Sequence, residues 1–203
     1  MITIYGSPSS SAGRCFWCLE ELGLNYESQT ISFKENEHKS SEFLKINPNG
    51  KIPALIDNDF VMSESMAINF YLAEKYSPDL LGTTLQERAK IRQWSFWAIA
   101  DLQPPLINIF IQLIFVPEER RDQKVIDNAE KKLPSLLSSL NSQLEKKSYL
   151  IGDVFTLADL NVQSVISICK SINYDISTYK NIIRWQNIIG ERPAYQKYLS
   201  LCQ

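Results

Sequence analysis

The first part of the chain alternates between strand-like and helix-like hydrophobic patterns. Residues 1–5 alternate apolar and polar positions and are broken by Gly6, which predicts a first strand. Residues 12–22 carry apolar side chains at helical spacing, and Gly23 then acts as a stop signal. Residues 24–33 read as a second strand. The chain therefore opens with a strand, a helix and a parallel strand.

Two turns and a capped helix follow this opening. Residues 47–50, written N-P-N-G, predict a turn, and D-N-D at 57–59 predicts a second turn between two short apolar runs. These runs form a predicted hairpin. Ser63 or Ser65 is placed to cap the next helix, which ends near Tyr76. A parallel pair, a hairpin and a closing helix form a thioredoxin-like α/β domain.

Beyond this point every hydrophobic pattern is helical. Turn-forming clusters interrupt the pattern near residue 80, so we predict an α/β domain at 1–77, a linker at 78–85 and an all-helical domain at 86–203. Pro104 and Pro105 must kink or end the first long helix. The predicted helices cover residues 86–102, 106–116, 117–146 with a bend at Pro134, 153–171, 176–190 and 194–201.

Residues 155–160 match the sequence pattern of a helix N-terminus. Thr156 is the predicted N-cap, and Asp159 stands at the third helical position, where its carboxylate can return to the cap N–H. Phe155 and Leu160 are spaced to pack on each other as a hydrophobic staple. This segment predicts a folding device and names no chemistry.

Composition narrows the classes of function. The chain has 203 residues, 44% of them hydrophobic, and a formal net charge of −2, which argues against a nucleic-acid partner. We find no basic-then-apolar leader and no apolar run of membrane-spanning length, so we expect a soluble, cytoplasmic protein. Its single histidine, His38, excludes a histidine-rich metal site, and we expect no metal.

Three loops carry the candidate chemistry. Pro53 has no N–H and marks a strand start or a cis peptide bond, which leaves the N–H and C=O of Ile52 free to pair with an extended peptide. Amides beside Ser63 and Ser65 open a helix and can hold a carboxylate. Residues 7–14, written S-P-S-S-S-A-G-R, place serine hydroxyls at another helix start, where an anion such as a thiolate is stabilised. Capping alone also explains these serines.

Cys15 and Cys18 form a C-x-x-C pattern, which raises the alternative of a disulfide oxidoreductase. A reactive pair needs its first cysteine at the helix N-terminus, and serines hold that place here. Cys15 lies on the apolar stripe of the helix, and Cys18 follows one turn later. Their positions therefore favour buried or surface thiols that have no redox role.

These segments together resemble the glutathione transferase family over nearly the whole chain. The resemblance is carried by K-I-P-A-L at 51–55, by Glu64-Ser65 and by G-D-V-F-T-L-A-D at 152–159. The stretch H-K-S-S-E-F-L-K-I-N-P at 38–48 is similar to the plant-type serine class and its bacterial relatives. It implies a thioredoxin-like N-terminal domain joined to an all-α C-terminal domain.

The resemblance also implies roles for individual residues. The cysteinyl backbone of glutathione lies beside a cis-proline in the family, and its γ-glutamyl end lies beside a Glu-Ser pair that binds its ammonium and carboxylate groups. Alignment on Gly6 and Arg14 makes Ser10 the catalytic residue that stabilises the thiolate, with Ser9 and Ser11 as rivals. The implied glutathione-binding residues are His38, Lys39 and Lys51 at the glycine carboxylate, Ile52 and Pro53 at the cysteinyl backbone, and Glu64 and Ser65 at the γ-glutamyl group.

Helical residues Trp97, Asp101 and Phe110 could line a pocket for a small hydrophobic electrophile, although such positions are also typical of plain core. We therefore predict a glutathione transferase with glutathione as co-substrate and a role in detoxification. Two alternatives stay open: a glutathione-dependent disulfide reductase or peroxidase, and a non-catalytic binding protein. A homodimer is expected, although Asn49 replaces an aromatic that contacts the partner subunit in several classes of the family.

Overall fold

A mixed four-stranded sheet forms the centre of the first of two compact units. The computed structural model describes all residues 1–203, and the first unit contains Met1–Leu81 together with Gly190–Gln203. The second unit is Gly82–Ile189. The strands are Ile2–Tyr5 (β1), Tyr26–Gln29 (β2), Ala54–Asp57 (β3) and Phe60–Ser63 (β4), in the order β2-β1-β3-β4.

The sheet has the predicted topology. Strands β1 and β2 are parallel, whereas β3 runs antiparallel to both β1 and β4. Ile4 and Leu55 are fully buried on the central strands, which places the core of this unit against the sheet. The helices of this unit are Gly13–Glu21 (α1), Ser41–Ile46 (α2), Ser65–Tyr76 (α3) and, at the far end of the chain, Pro193–Leu201 (α11). The predicted thioredoxin-like α/β fold is confirmed.

The structure places residues 190–203 in the first unit, whereas the predicted division assigns them to the all-helical domain. Helix α11 lies against α1, where the ring of Trp17 contacts Tyr195 at a centroid distance of 4.5 Å and stacks on Tyr198 at 6.2 Å. Arg192 adds two hydrogen bonds of 2.9 and 2.6 Å to the carboxylate of Glu21. These contacts join segments that are far apart in sequence.

The second unit is entirely helical, as predicted. Its first segment, Leu85–Trp97 (α4), runs through a π-helical turn at Ala98–Leu102 into Gln103–Phe110 (α5). A proline ring clashes with the carbonyl four residues earlier, and for Pro104 that carbonyl lies inside the widened turn. A second π turn follows at Ile111–Phe115. The remaining helices are Gln123–Glu130 (α6), Leu133–Gln143 (α7), Leu157–Ile166 (α8), Ile168–Ser171 (α9) and Lys180–Gly190 (α10), the last of which ends at the first residue of the C-terminal segment.

The predicted helix over residues 117–146 is wrong at its start. Glu118–Arg120 forms only a short 3₁₀ turn, and the chain is extended at Arg121. Helix α6 begins after Asp122, whose side chain accepts hydrogen bonds from the amides of Lys124 at 2.9 Å and Val125 at 3.4 Å. The cap at Asp122 therefore starts the helix six residues later than predicted.

The predicted capping box at the start of α8 is confirmed. The Asp159 carboxylate accepts hydrogen bonds from the Thr156 amide at 2.9 Å and the Thr156 hydroxyl at 3.0 Å. It also accepts from the Leu150 amide at 2.8 Å and from the indole Nε1 of Trp185 at 2.9 Å. Burial raises the pKa of Asp159, and these hydrogen bonds oppose that shift. One carboxylate thus connects three segments of the second unit.

One helical segment exceeds the length expected from the sequence. Leu85–Phe115 is continuous over 31 residues with a mean hydropathy of 1.4 in its most apolar window. By length and composition alone this segment could cross a membrane. This differs from the prediction that no apolar run reaches that length. These two criteria are weak because core helices of soluble proteins also satisfy them.

Candidate functional site

The strand register brings the three candidate loops to one end of the sheet. Tyr5 pairs with Ala54, and Ala54 pairs with Ser63 on the next strand. Three loops therefore share one edge of the sheet. They are the serine loop after Tyr5 (residues 7–12), the turn before Ala54 and the helix start after Ser63. Because the three strands are adjacent, the three loops begin or end next to one another at this edge.

Ser10, the predicted catalytic residue, closes the turn before α1. Its hydroxyl donates to the Ser7 carbonyl at 2.7 Å and accepts a hydrogen bond from the Ala12 amide at 3.1 Å. The Ser10 amide also donates to the Ser7 carbonyl at 3.0 Å. The side chain is half-buried and serves as a local cap, so its O–H must leave the Ser7 carbonyl before it can donate elsewhere.

Ser11 faces the proline turn. Its hydroxyl is exposed and donates to the Ile52 carbonyl at 3.0 Å, across 41 residues of sequence. Ser9 is also exposed, but its hydroxyl contacts the carbonyl of Cys202 at 3.5 Å. Of the three serines, Ser11 is the one whose hydroxyl bonds to the main chain of the proline turn.

Contacts within and beside the proline turn, which we define as residues 47–53, fix its main chain. The Ile52–Pro53 peptide bond is cis, and Pro53 is buried. The Asn47 side-chain amide donates to the Lys51 carbonyl at 2.6 Å, which ties the start of the turn to its end. Gly50 has a φ of +59°, and a Cβ there would lie 2.8 Å from the His38 carbonyl oxygen. Glycine therefore allows the loop of His38 to approach the turn closely.

The predicted cationic residues lie beside this turn. His38 is half-buried, its ring lies 4.5 Å from that of Phe33, and its Nδ1 atom is buried with no hydrogen-bond partner. Lys39 and Lys51 carry exposed side chains.

The third loop carries a strained residue. Glu64 has a φ of +73° and a ψ of 107°, values that cost a residue with a side chain about 1–3 kcal/mol, and its side chain is exposed without capping α3. Ser65 is the buried first residue of α3, and its carbonyl accepts a bond from the Cys15 thiol at 3.5 Å. Helix α1 thus fixes the start of α3, whose first amides are available to an anion.

The cysteines of the C-x-x-C pattern are not placed for redox chemistry. Cys15 and Cys18 are both fully buried inside the first unit. Burial raises the pKa of the Cys15 thiol to about 12 and that of Cys18 well above its ordinary value. Buried, protonated thiols are inert, so this pair does not support the reductase alternative.

The three residues predicted for the electrophile pocket all belong to the second unit. Trp97 packs on Trp94 at 4.9 Å, and Phe110 packs on Phe115 at 5.7 Å. Asp101 is exposed and lines an open cavity of about 360 Å³. The other residues lining this cavity are Ala100, Pro104, Pro105, Lys132, Ser135 and Leu136.

Two further residues at the serine loop were not predicted from the sequence. The Tyr198 hydroxyl donates to the Pro8 carbonyl at 3.3 Å, and Gly13 lies directly beside this contact. No local pattern links a tyrosine near the end of the chain to a loop near its start. No group of three or more histidine, cysteine or acidic side chains is arranged to hold a metal ion.

Comparison with known proteins identifies the domains and relatives of this chain. Residues 1–74 match the N-terminal domain of glutathione S-transferase, and residues 102–193 match its C-terminal domain. The chain is 39% identical to glutathione S-transferase F10 of Arabidopsis thaliana, with 97% of this chain and 95% of that protein covered. It is 31% identical to glutathione S-transferase GstB of Escherichia coli (strain K12), with 99% of each covered. A solved structure of glutathione S-transferase I from maize, in complex with an atrazine glutathione conjugate, superposes with a TM-score of 0.90 at 36% identity, covering 99% of this chain and 97% of that one.

Proposed function

The chain belongs to the glutathione S-transferase family and is a glutathione transferase, and we propose that its three clustered loops hold glutathione while its thiolate attacks a small hydrophobic electrophile. The main chain of Ile52 pairs with the cysteinyl backbone of the tripeptide, beside Pro53. Glu64 and Ser65 receive the γ-glutamyl end, where the carboxylate of glutathione meets the first amides of α3. This arrangement holds the sulfur in one place for attack.

The glycine end of glutathione extends toward the cationic side of the site. We assign its carboxylate to His38, Lys39 and Lys51, because all three lie on or next to the turn that precedes Pro53. A carboxylate that accepts hydrogen bonds from cations is held more tightly than by neutral donors.

We assign the thiolate-stabilising role to Ser11 in place of Ser10. One observation carries this choice: the Ser11 hydroxyl already bonds to the Ile52 carbonyl at 3.0 Å, next to the expected position of the cysteinyl group. When glutathione binds, rotation about one side-chain bond redirects this hydroxyl to the sulfur. The Ser10 hydroxyl, by contrast, is held by the Ser7 carbonyl and the Ala12 amide.

The size of the expected effect follows from the chemistry of the bond. A hydrogen bond to a charged acceptor contributes about 1.5–3 kcal/mol, which corresponds to about one to two pKa units. An ordinary thiol has a pKa of about 8.5, so such a donor lowers it to about 7. At neutral pH the bound thiol then becomes substantially ionised and nucleophilic.

Two serine variants test this assignment. In Ser11→Ala we expect kcat/KM for a standard aromatic electrophile to fall about 10- to 100-fold at pH 6.5, with recovery as the pH rises above the thiol pKa. In Ser10→Ala we expect a near-normal pH profile but a loss of about 1 kcal/mol in unfolding free energy, because the turn loses its cap. If Ser10→Ala shifts the pH profile and Ser11→Ala does not, the assignment is reversed.

The site needs no metal in this proposal, since the thiolate is stabilised by hydrogen bonds alone. A homodimer, a cytoplasmic location and a role in detoxification are also proposed, on the family resemblance. Sedimentation of the purified chain distinguishes a dimer of about twice the 23.3 kDa chain mass from a monomer.

A further inference from the structure

Helix α11 is fixed on α1 by both charge and aromatic packing. Arg192 forms a two-pronged ion pair with Glu21, whose side chain is only 4% exposed, and Lys197 adds a second pair at 2.6 Å with Glu20 on the same helix. The Trp17 ring packs against two tyrosines of α11. A bidentate pair of low exposure sets orientation more strictly than a single exposed contact. Contacts from Arg192 to Tyr198 therefore hold α11 in a defined position on α1.

From that position α11 contacts the serine loop, which we define as residues 7–12. The Tyr198 hydroxyl donates to the Pro8 carbonyl at 3.3 Å, across 190 residues of sequence. One residue further along the loop, the Ser9 hydroxyl reaches the Cys202 carbonyl at 3.5 Å. Burial raises the pKa of Tyr198, so its hydroxyl stays protonated and keeps donating throughout the working pH range.

Gly13 makes room for this contact. A Cβ at Gly13 would lie 2.3 Å from the Pro8 carbonyl oxygen and 2.6 Å from the Tyr198 hydroxyl oxygen. Both distances are far below van der Waals contact, so a side chain there must push the loop or the tyrosine away. The serine loop, the start of α1 and helix α11 therefore meet at this contact. Gly13 permits the contact because it has no side chain.

We propose that Tyr198 is a positioning residue for catalysis, which holds the serine loop so that the Ser11 hydroxyl is aimed at the glutathione sulfur. This inference rests on the proposed function. Within the loop, the carbonyl of Ser7 is bonded to Ser10, and the carbonyl of Ser10 accepts from Gly13 at 2.9 Å. The loop is thus tied internally, and the Tyr198 bond anchors it from outside. A loop free to shift by an ångström weakens a hydrogen bond to the sulfur without removing glutathione from its other contacts.

The variant Tyr198→Phe removes the hydroxyl and keeps the ring that packs on Trp17. We expect the pH midpoint of kcat/KM to rise by about half to one unit and kcat at pH 6.5 to fall about three- to tenfold. The KM for glutathione should stay within about twofold of the wild-type value, because the binding contacts are intact. The matched control is Ser200→Ala, which removes an exposed hydroxyl of the same helix that bonds only to the Lys197 carbonyl.

The inference is overturned if the pH profile of Tyr198→Phe superposes on those of the wild type and Ser200→Ala while the profile of Ser11→Ala is shifted. If the wild type itself shows no thiol pKa below that of free glutathione, the proposed function fails first and takes this inference with it. The two failures are therefore distinguishable in one set of titrations.

Gly13→Ala is a second route to the same contact. Because the added methyl group separates Pro8 from Tyr198, this variant should raise the pH midpoint in the same direction as Tyr198→Phe. Combining the two substitutions should give less than the sum of their effects, since both act on one hydrogen bond. Fully additive effects would contradict a shared contact.

Discussion

Replacing Asp159 is expected to destabilise the second unit more than any comparable change at its surface. Asp159 is fully buried and accepts four hydrogen bonds, from the amides of Leu150 and Thr156, the Thr156 hydroxyl and the Trp185 indole. The variant Asp159→Ala leaves three N–H donors without their acceptor. The start of α8 also loses half of its capping box.

The magnitude follows from the number and burial of these donors. An unsatisfied buried N–H costs about 1–3 kcal/mol, and Leu150 and Trp185 are completely buried. Against this, the variant no longer buries a carboxyl group, whose raised pKa shows that burial carries its own cost. We therefore take the lower end and expect a loss of about 3–5 kcal/mol, a large part of the 5–15 kcal/mol available to a typical domain.

Urea unfolding at neutral pH, followed by tryptophan fluorescence and circular dichroism, measures this loss. The control is Asp153→Ala, because Asp153 is exposed and accepts only one bond, from the Ser148 hydroxyl at 3.2 Å. Its change should stay within about 0.5 kcal/mol. If Asp159→Ala lies within about 1 kcal/mol of this control, the carboxylate does not organise the unit as we describe.

Three further predictions concern the first unit and the thiols. In the native protein only Cys202, the one half-buried cysteine, should react readily with a thiol reagent, and rapid labelling of all four cysteines would contradict the structure. Burial raises the pKa of Asp57, but hydrogen bonds from its lysine and tyrosine partners outweigh that effect, so the net pKa is lowered. The stabilising contribution of Asp57 is therefore present above about pH 4 and is lost as the pH falls. The stability difference between wild type and Asp57→Asn should therefore shrink on acidification, and a difference that grows would reverse the sign. Arg192→Gln should cost about 1–3 kcal/mol, because it removes two hydrogen bonds to Glu21 from a side chain that is only 27% exposed. Lys197→Gln removes one contact made by a side chain that is 67% exposed and should cost less than about 1 kcal/mol, and equal losses in urea unfolding would contradict this ranking.

Local chemistry explains what the sequence predicts well. The cap at Thr156, the stop at Gly23 and the proline turn at Pro53 each act over a few residues, so their patterns can be read without knowing the fold. The thioredoxin-like sheet and the helical second unit were predictable on these grounds. The clustering of the three loops around one ligand, by contrast, was implied only by the family resemblance, because it depends on the strand register.

Long-range contacts and side-chain rotation explain what was missed. The contact between Arg192 and Glu21 spans 171 residues, and no periodic pattern marks helix α11 as part of the first unit. The catalytic role of Ser10 stays a prediction, and the proposal of Ser11 rests on which hydroxyl closes the local turn, a difference that adjacent serines do not show in a sequence. The predicted helix start at residue 117 overlooked the capping side chain of Asp122, which starts α6.

The central claim is that the site lowers the pKa of the glutathione thiol. The most direct measurement is a pH titration of the thiolate ultraviolet absorbance of glutathione bound to the wild-type protein, with free glutathione as the reference. We expect the midpoint of bound glutathione to lie about one to two units below that of the free tripeptide. Glutathione that binds with an unshifted midpoint, or that does not bind, would contradict the account.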